Sequence, residues 1–316
     1  MTQESTTSPD LSALRAEFPL LERLAYFQTG TFGLMAECVL CQVLDLVALF
    51  ERRSFEVYRE VQAKVEDARR HLAARIGAAP AEVALTRNAT DGANLVAAGI
   101  AWQPDDEIII SDQEHPAMSY PWRWAAQRTG AVLRVFHVEH DPEASLANVE
   151  ALITPCTRLI GTTWVTSPYG VRLPAREICA LARERGILSL VDGAQAFGVF
   201  QVDVRAVGCD FFTSNGHKWL GGPKGTGFFW ARPDRLAQLQ PAHVGAGCAE
   251  RFGLAEGLAF PASGRRFEFG TNAHALHAGL APALEWFDKL GWDWIEARTA
   301  RLSTYLKAEL GRVSGV

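Results

Sequence analysis

The sequence predicts an α/β fold in which an open and mostly parallel sheet is covered by helices on both faces. Short apolar runs alternate with amphipathic stretches through most of the chain, and this alternation is typical of parallel sheets. The chain has 316 residues and shows no internal repeat or low-complexity tract, so it can bury a large core without a disulfide or a metal. Ligands of such sheets bind outside the carboxyl ends of the strands. We therefore expect the functional residues in the loops that follow the apolar runs.

Six apolar runs have the length and composition of buried strands. They are rich in Ile, Val, Leu and aromatic side chains and are bounded by polar or turn residues. These predicted strands are residues 107–111, 132–138, 159–165, 187–191, 211–214 and 227–230.

Amphipathic stretches between these runs predict helices over residues 93–101, 117–128, 144–153 and 174–185. The last stretch has Pro174 in its first turn and Gly186 just past its end, which is the favoured placement of both residues. We expect one large domain over residues 25–284. Residues 1–24 and 285–316 would form an N-terminal segment and the start of a small, incomplete second domain, since the chain stops soon after a helix.

The composition argues against several classes of partner. The chain has 31 Lys and Arg against 36 Asp and Glu, a net charge of −5, and no basic block that would attract nucleic acid or an anionic membrane. We see no secretory signal pattern and no apolar stretch of about 18 residues. Six scattered cysteines do not resemble a disulfide framework. We therefore expect a cytoplasmic protein with reduced thiols, no nucleic-acid or membrane partner and no metal site.

The sharpest local feature is the sequence SNGHKW at residues 214–219, followed by GGPKGTG at 221–227. Lysine can form a Schiff base when burial or cationic neighbours keep its amine neutral, and His217 and Lys224 could be such neighbours of Lys218. The alternative is a solvated turn lysine beside glycines that shape a hairpin.

Two further features follow predicted strands. Asp192 ends the run 187–191, and a buried acid there needs a positive or protonated partner, such as a pyridinium nitrogen. The segment TRNATDG at 86–92 follows a short apolar run and opens the helix predicted from Ala93, where backbone N–H groups favour a phosphate. A turn aspartate and an ordinary helix cap formed by Asn88 or Thr90 are the alternatives.

Along the chain, a phosphate-type helix start, an Asp at a strand end and a Lys after a strand follow one another, and together they resemble the class V aminotransferase family of fold-type I pyridoxal phosphate enzymes, which includes cysteine desulfurases and isopenicillin N epimerase-like proteins. The similarity runs from about residue 26 to residue 284. It implies pyridoxal 5′-phosphate as cofactor, with Lys218 forming the Schiff base and Asp192 pairing with the pyridine nitrogen. Gln195 would donate to the phenolic oxygen, and His115, within EHPA at 114–117, would stack on the ring and assist proton transfer.

The resemblance also implies a phosphate site and a partner subunit. Ala89, Thr90 and His217 match the phosphate cup of the family. Asn215 stands where cysteine desulfurases usually carry a serine, which makes this segment more similar to the epimerase-like branch. The sequence FEFGTN at 267–272 is similar to the family segment whose threonine, here Thr271, reaches the phosphate of the neighbouring subunit. A homodimer is therefore implied.

The reaction stays open between several alternatives. A C–S lyase of the cysteine desulfurase kind acting on an amino acid is favoured, with transamination or epimerisation as alternatives and a catalytically silent regulatory or structural protein as another class. Desulfurases of the family use a loop cysteine, and the family binds the substrate carboxylate with an arginine of the C-terminal domain. Both positions would lie beyond Val316. Cys248 and Arg172 are candidates within the chain, although a packed thiol and a solvated loop arginine are the simpler interpretations.

Overall fold

The computed structural model describes residues 9–250 and 257–315. Seven strands form one sheet in the order β1-β7-β6-β5-β4-β2-β3, and β7 is antiparallel to both of its neighbours while the other pairings are parallel. The strands are β1 (Val83–Thr86), β2 (Glu107–Ser111), β3 (Val132–Phe136), β4 (Thr157–Thr163), β5 (Leu188–Asp192), β6 (Phe211–Asn215) and β7 (Gly227–Ala231).

Helices precede, separate and follow these strands. Those before and within the sheet are α1 (Leu11–Ala16), α2 (Glu37–Arg53), α3 (Tyr58–Arg75), α4 (Ala89–Gly99), α5 (Pro116–Thr129), α6 (Pro142–Leu152), α7 (Ala175–Glu184) and α8 (Val204–Val207). Those after the sheet are α9 (Pro233–Leu236), α10 (His274–Ala278), α11 (Leu280–Leu290) and α12 (Trp292–Leu310).

The predicted α/β architecture is confirmed, with two differences in detail. Strand β7 runs antiparallel because the loop between β6 and β7 contains no crossover helix, which a parallel neighbour would need. Helix α4 begins at Ala89, four residues before its predicted start. The reason is the Asn88 side chain, which accepts a hydrogen bond from the Asp91 N–H at 3.0 Å and so caps the helix earlier.

Successive residues of the central strands bury their side chains on opposite faces of the sheet. On one face Phe212 and Phe228 pack with α2, α3 and α11, and on the other face Phe211 and Phe229 pack with α4 and α5. Burial on both faces explains why these strands read as continuous apolar runs. The same packing leaves the strand ends, rather than the faces of the sheet, open to a ligand.

The C-terminal helices extend beyond the sheet. Helix α11 crosses the predicted domain boundary at residue 284 and buries Leu284 and Phe287, whereas α12 buries none of its residues. The division into a large domain and the start of a small one stays a prediction. Within the described ranges, no helix has both the length and the apolar composition that a membrane span requires.

Candidate functional site

The carboxyl ends of four parallel strands meet at one edge of the sheet. Asp192 is the last residue of β5 and Asn215 the last of β6, while Asn88 follows β1 and His115 follows β2 at the start of α5. The site residues predicted in these loops therefore come from one rim of the molecule.

Asp192 is buried, with 4% of its surface exposed. Its Oδ1 atom accepts a hydrogen bond from the Ala194 N–H at 2.8 Å. Burial raises the pKa of Asp192, while the Ala194 N–H and the charge of Lys218 oppose that rise. The carboxylate would gain from a further positive partner, because one amide does not replace the water it has lost.

Lys218 lies half-buried in the loop after β6. Among the described residues, no acceptor binds its Nζ atom. Burial lowers the pKa of Lys218, and the Asp192 carboxylate partly opposes this effect. A lysine amine with a lowered pKa and no fixed partner is available for covalent or proton-transfer chemistry.

His115 is the N-cap residue of α5, and its Nδ1 atom accepts a hydrogen bond from the Ala117 N–H at 3.1 Å. The neutral ring therefore carries its proton on Nε2. Burial lowers the pKa of His115, and the charge of Lys218 lowers it further. The structure thus holds a neutral imidazole within electrostatic reach of Lys218.

The first turn of α4 is tied to the end of β6. The Ala89 N–H donates to Asn215 Oδ1 at 3.0 Å, and the Thr213 hydroxyl donates to the Ala89 carbonyl at 3.2 Å. Of the two predicted phosphate donors on this turn, Ala89 has its N–H in use. Thr90 keeps its N–H and hydroxyl free of other described groups, so it is the donor that an anion could reach here.

His217 and Gln195 are both held by hydrogen bonds. His217 places Nδ1 3.0 Å from the Thr226 carbonyl, so Nδ1 donates and Nε2 can donate to an anion only when the ring is protonated. Burial lowers the pKa of His217. Gln195 donates from Nε2 to the Gly30 carbonyl at 3.0 Å and accepts from Trp219 Nε1 at 2.7 Å, which leaves its second amide hydrogen for a ligand.

Residues 26–35, here called the entry segment, pack against the lysine loop, which is the loop that carries Lys218. This contact was not predicted from the sequence. The Gly33 N–H donates to the His217 carbonyl at 2.8 Å, and Lys224 Nζ donates to the Gly33 carbonyl at 2.7 Å. A Cβ atom at Gly33 would overlap the Lys218 carbonyl oxygen. The close glycines Gly30 and Gly33 were the only signal of this contact in the sequence.

The sequence analysis also left Glu114 without a role. Its Oε1 atom accepts from the Ser111 hydroxyl at 2.7 Å and from the Thr163 N–H at 2.9 Å, and its Oε2 atom is buried without a partner among the residues that the structure describes. Burial raises the pKa of Glu114 to about 8; Ser111 and Thr163 oppose the rise and Asp192 adds to it. The signal was the one used for Asp192, an acid close behind a buried strand.

The remaining predicted residues lie farther from these contacts. Thr271 is exposed and borders a surface cavity together with Asp91 and Asn94 of α4. The Arg172 guanidinium stacks on the Phe200 ring at 4.1 Å. Cys248 is buried, and its thiol contacts the Gly245 backbone at 3.1 Å. The burial of Cys248 fits a packed thiol, whereas Arg172 stacks on Phe200 rather than being fully solvated.

Comparison with known protein families gives one match over most of the chain. The family model described as aminotransferase class-V matches residues 39–316. A probable cysteine desulfurase of Xylella fastidiosa is 32% identical, covering 98% of this chain and 77% of the relative. Isopenicillin N epimerase of Streptomyces clavuligerus is 36% identical, covering 79% of this chain and 65% of the relative.

Solved structures are similar over the same length. One is a C-DES mutant with glycine covalently linked to its PLP cofactor, with a TM-score of 0.88 and 27% identity over 97% of this chain and 81% of that one. Another is the cysteine desulfurase CsdA of Escherichia coli, with a TM-score of 0.86 and 27% identity over 98% of this chain and 79% of that one.

Proposed function

The chain belongs to the class V aminotransferase family, and we propose that it cleaves the C–S bond of a cysteine-like amino acid. As the sequence predicted, it is a fold-type I enzyme that depends on pyridoxal phosphate. Relatives named cysteine desulfurase and a solved cystine C–S lyase support this reaction class. The observation that carries the lysine-based chemistry is the Lys218 amine, which is half-buried, has no acceptor among the described residues and lies within electrostatic reach of the buried Asp192.

The residues of the rim fit pyridoxal phosphate. Asp192 is a buried carboxyl whose described hydrogen bonds end on Oδ1, so Oδ2 can take a protonated ring nitrogen. Lys218 offers a free amine for the aldehyde, and Gln195 keeps one amide hydrogen for the phenolic oxygen. Thr90 and a protonated His217 would hold the phosphate at the start of α4.

When bound, the cofactor acts as an electron sink for bonds at the substrate's alpha carbon. Asp192 would hold the ring nitrogen in its positively charged form by charge pairing. Because burial lowers its pKa, Lys218 has a larger share of free amine near neutral pH, and Nζ can take the alpha proton and return it. The neutral His115 ring holds its proton on Nε2, from which it can donate a hydrogen bond to a bound substrate group.

The proposal includes a homodimer. Thr271 is exposed, as a residue that reaches into a neighbouring subunit has to be, and it borders the same cavity as the first turns of α4. We assign Thr271 to the phosphate of a second copy of this chain. The cytoplasmic location expected from the sequence stays a prediction.

Epimerisation is the second candidate, and a specific residue favours it. Asn215, in place of the desulfurase serine, accepts the Ala89 N–H and so changes the donors at the start of α4. The similarity to isopenicillin N epimerase supports the same alternative. The two reactions share removal of the alpha proton and differ in whether a C–S bond then breaks.

The first test is covalent labelling of the lysine. We expect the purified chain to take up pyridoxal phosphate, to absorb visible light and, after borohydride reduction, to carry a pyridoxyl label on Lys218. Lys218→Ala removes this label, whereas Lys289→Ala, which changes an exposed lysine on α11, keeps it. A label on another lysine, or none, would refute the assignment of Lys218.

The second test identifies the reaction from its products. Cysteine and cystine, with an added thiol as sulfur acceptor, are expected to give sulfide or persulfide together with alanine or pyruvate. Formation of a keto acid only when an amino acceptor is supplied would indicate transamination, and loss of chirality without sulfur release would indicate epimerisation. A labelled protein that turns over no amino acid would favour the catalytically silent alternative.

A further inference from the structure

Glu114 is an acid of the site rim to which the proposed reaction assigns no step. It follows β2 and directly precedes His115, the N-cap of α5. Its Oε1 atom accepts two hydrogen bonds, from the Ser111 hydroxyl on β2 and from the Thr163 N–H on β4. One carboxyl oxygen thus joins the turn that presents His115 to the neighbouring strand.

The surroundings of the second oxygen, Oε2, indicate whether the Glu114 carboxyl is protonated. Oε2 is shielded from solvent and has no hydrogen-bond partner in residues 9–250 and 257–315. An ionised carboxylate would leave a full negative charge without water or a cation at this atom, which is very costly in a protein interior. A carboxylic acid with its proton on Oε2 leaves Oε1 free to accept both observed hydrogen bonds.

The position of Asp192 adds a second reason. Thr163, whose N–H binds Glu114, is the register partner of Asp192 across β4 and β5. The Glu114 carboxyl therefore binds the end of β4, next to the end of β5 that carries Asp192, and two buried like charges on these neighbouring strand ends disfavour each other. A single cation at the site can compensate one of them.

We propose that Glu114 is a neutral positioning residue, which fastens the Glu114–His115 turn to β4 and leaves Asp192 as the one anion beside the cofactor ring. This inference rests on the proposed function for its second half, because it assigns Asp192 to the ring nitrogen. The first half, a protonated Glu114 in the folded chain, concerns the protein alone.

The charged groups around Glu114 agree with this assignment. Burial and the charge of Asp192 on β5 together raise the pKa of Glu114 to about 8, and the end of β4 brings the non-titrating Thr163 beside it. The loop after β6 brings Lys218, and His115 follows on the same turn with a lowered pKa. None of these groups forms an ion pair with Glu114.

The raised pKa of Glu114 determines how its contribution to the stability of the fold changes with pH. The folded chain keeps the Glu114 proton up to about pH 8, whereas the unfolded chain releases it near pH 4.5. Between these values the folded state binds more protons than the unfolded state, so this contribution to stability falls as the pH rises. It is complete below about pH 4.5 and is lost as the pH passes 8.

The test uses the cofactor-free protein with Glu114→Gln, which keeps the Oε1 acceptor and cannot ionise. We expect the melting temperature of the wild type to fall relative to that of E114Q between pH 5 and pH 8. Glu143→Gln, at an exposed glutamate of α6, is the control and should follow the wild type. Parallel melting curves for wild type and E114Q would overturn the inference.

Infrared spectroscopy provides an independent readout. At pH 7 the cofactor-free wild type should show a protonated-carboxyl band that E114Q lacks and that Asp192→Asn retains. A band unchanged in E114Q would also overturn the inference. With pyridoxal phosphate bound, E114Q should lose an alkaline transition near pH 8 in the visible absorption. A chain that takes up no cofactor would refute the proposed function, while the cofactor-free measurements would still decide the state of Glu114.

Discussion

At the scale of single residues, burial controls the chemistry of the site. Burial raises the pKa of Asp192 and lowers that of Lys218, and each charge partly offsets the effect on the other. A cofactor with a positive ring nitrogen would therefore stabilise the Asp192 carboxylate, and its aldehyde could react with the neutral Lys218 amine. Hydrogen bonds then fix the orientation of their neighbours, as the Ala117 N–H does for His115.

Asp192→Asn should leave the fold intact and remove the charge that pairs with the ring nitrogen. We expect kcat/KM for the amino-acid substrate to fall on the order of 10²-fold or more, the usual loss when a buried group that stabilises charge is removed. Reconstitution with an N-methylated cofactor, whose ring nitrogen stays positive, should restore part of the activity.

The control for this prediction is Asp141→Asn. Asp141 caps α6 at the surface, and asparagine caps a helix as well as aspartate does, so activity should not change. If Asp192→Asn retained wild-type kcat/KM, the pairing of Asp192 with the ring nitrogen would be wrong.

At the scale of elements, the site is assembled from loops that are held by hydrogen bonds to backbone groups and, in the segment 267–272, also by an ion pair. The start of α4 is fastened to β6 through Asn215, and the entry segment is fastened to the lysine loop through Gly33. The segment 267–272 is anchored by Glu268, which binds the buried Arg69 and the Leu85 N–H of β1. Each contact holds one loop at the carboxyl edge of the sheet.

Gly33→Ala tests the role of the entry segment. A methyl group at this position overlaps the Lys218 carbonyl, so the segment has to move and its two hydrogen bonds weaken. We expect the free energy of unfolding to fall by roughly 2 kcal/mol and labelling of Lys218 by pyridoxal phosphate to decrease. Urea unfolding and borohydride labelling measure the two effects.

Gly257→Ala is the matched control, because a Cβ atom there meets no atom of the described residues within 4 Å. It should change the free energy of unfolding by less than about 0.5 kcal/mol. Equal stability of the two variants would show that the entry segment adapts to a side chain at Gly33 and does not restrain the lysine loop.

At the scale of the whole molecule, the order of the strands decides which loops meet. The order β1-β7-β6-β5 brings residues 88–90, 192–195 and 215–218 to one rim, although they are far apart in the chain. Thr271 is exposed beside the α4 end of this rim. The proposed dimer completes the site by supplying Thr271 from a second copy.

Mixed dimers test whether Thr271 acts between subunits. Lys218→Ala and Thr271→Ala should each have strongly reduced activity alone. After unfolding and refolding together, mixed dimers contain one site with the intact Lys218 of one chain and the intact Thr271 of the other. We therefore expect substantial activity to return in the mixture. Each variant refolded alone is the control. A mixture no more active than these controls would show that Thr271 does not act in the partner's site.

The sequence by itself determined the fold class, the positions of six strands and four helices within a few residues, and the family; it did not predict the long helices α2 and α3. These features depend on local patterns: apolar runs that suit strands, caps and glycines that end helices, and chemically unusual residues at strand ends. Lys218 and Asp192 could be proposed from the sequence for that reason, because a charged residue directly after a buried strand is unusual. The same reasoning applied to residue 114 would have singled out its carboxyl group.

Only the tertiary structure decided which groups satisfy one another. Ala89 and Asn215 are 126 residues apart, and Gln195 and Gly30 are 165 apart, so no local pattern predicts that they share a hydrogen bond. The antiparallel β7, the overlap at Gly33 and the unpartnered Oε2 atom of Glu114 likewise arise from packing between distant segments. Local propensity selects the elements, and burial of their shared faces selects the contacts that position the chemistry.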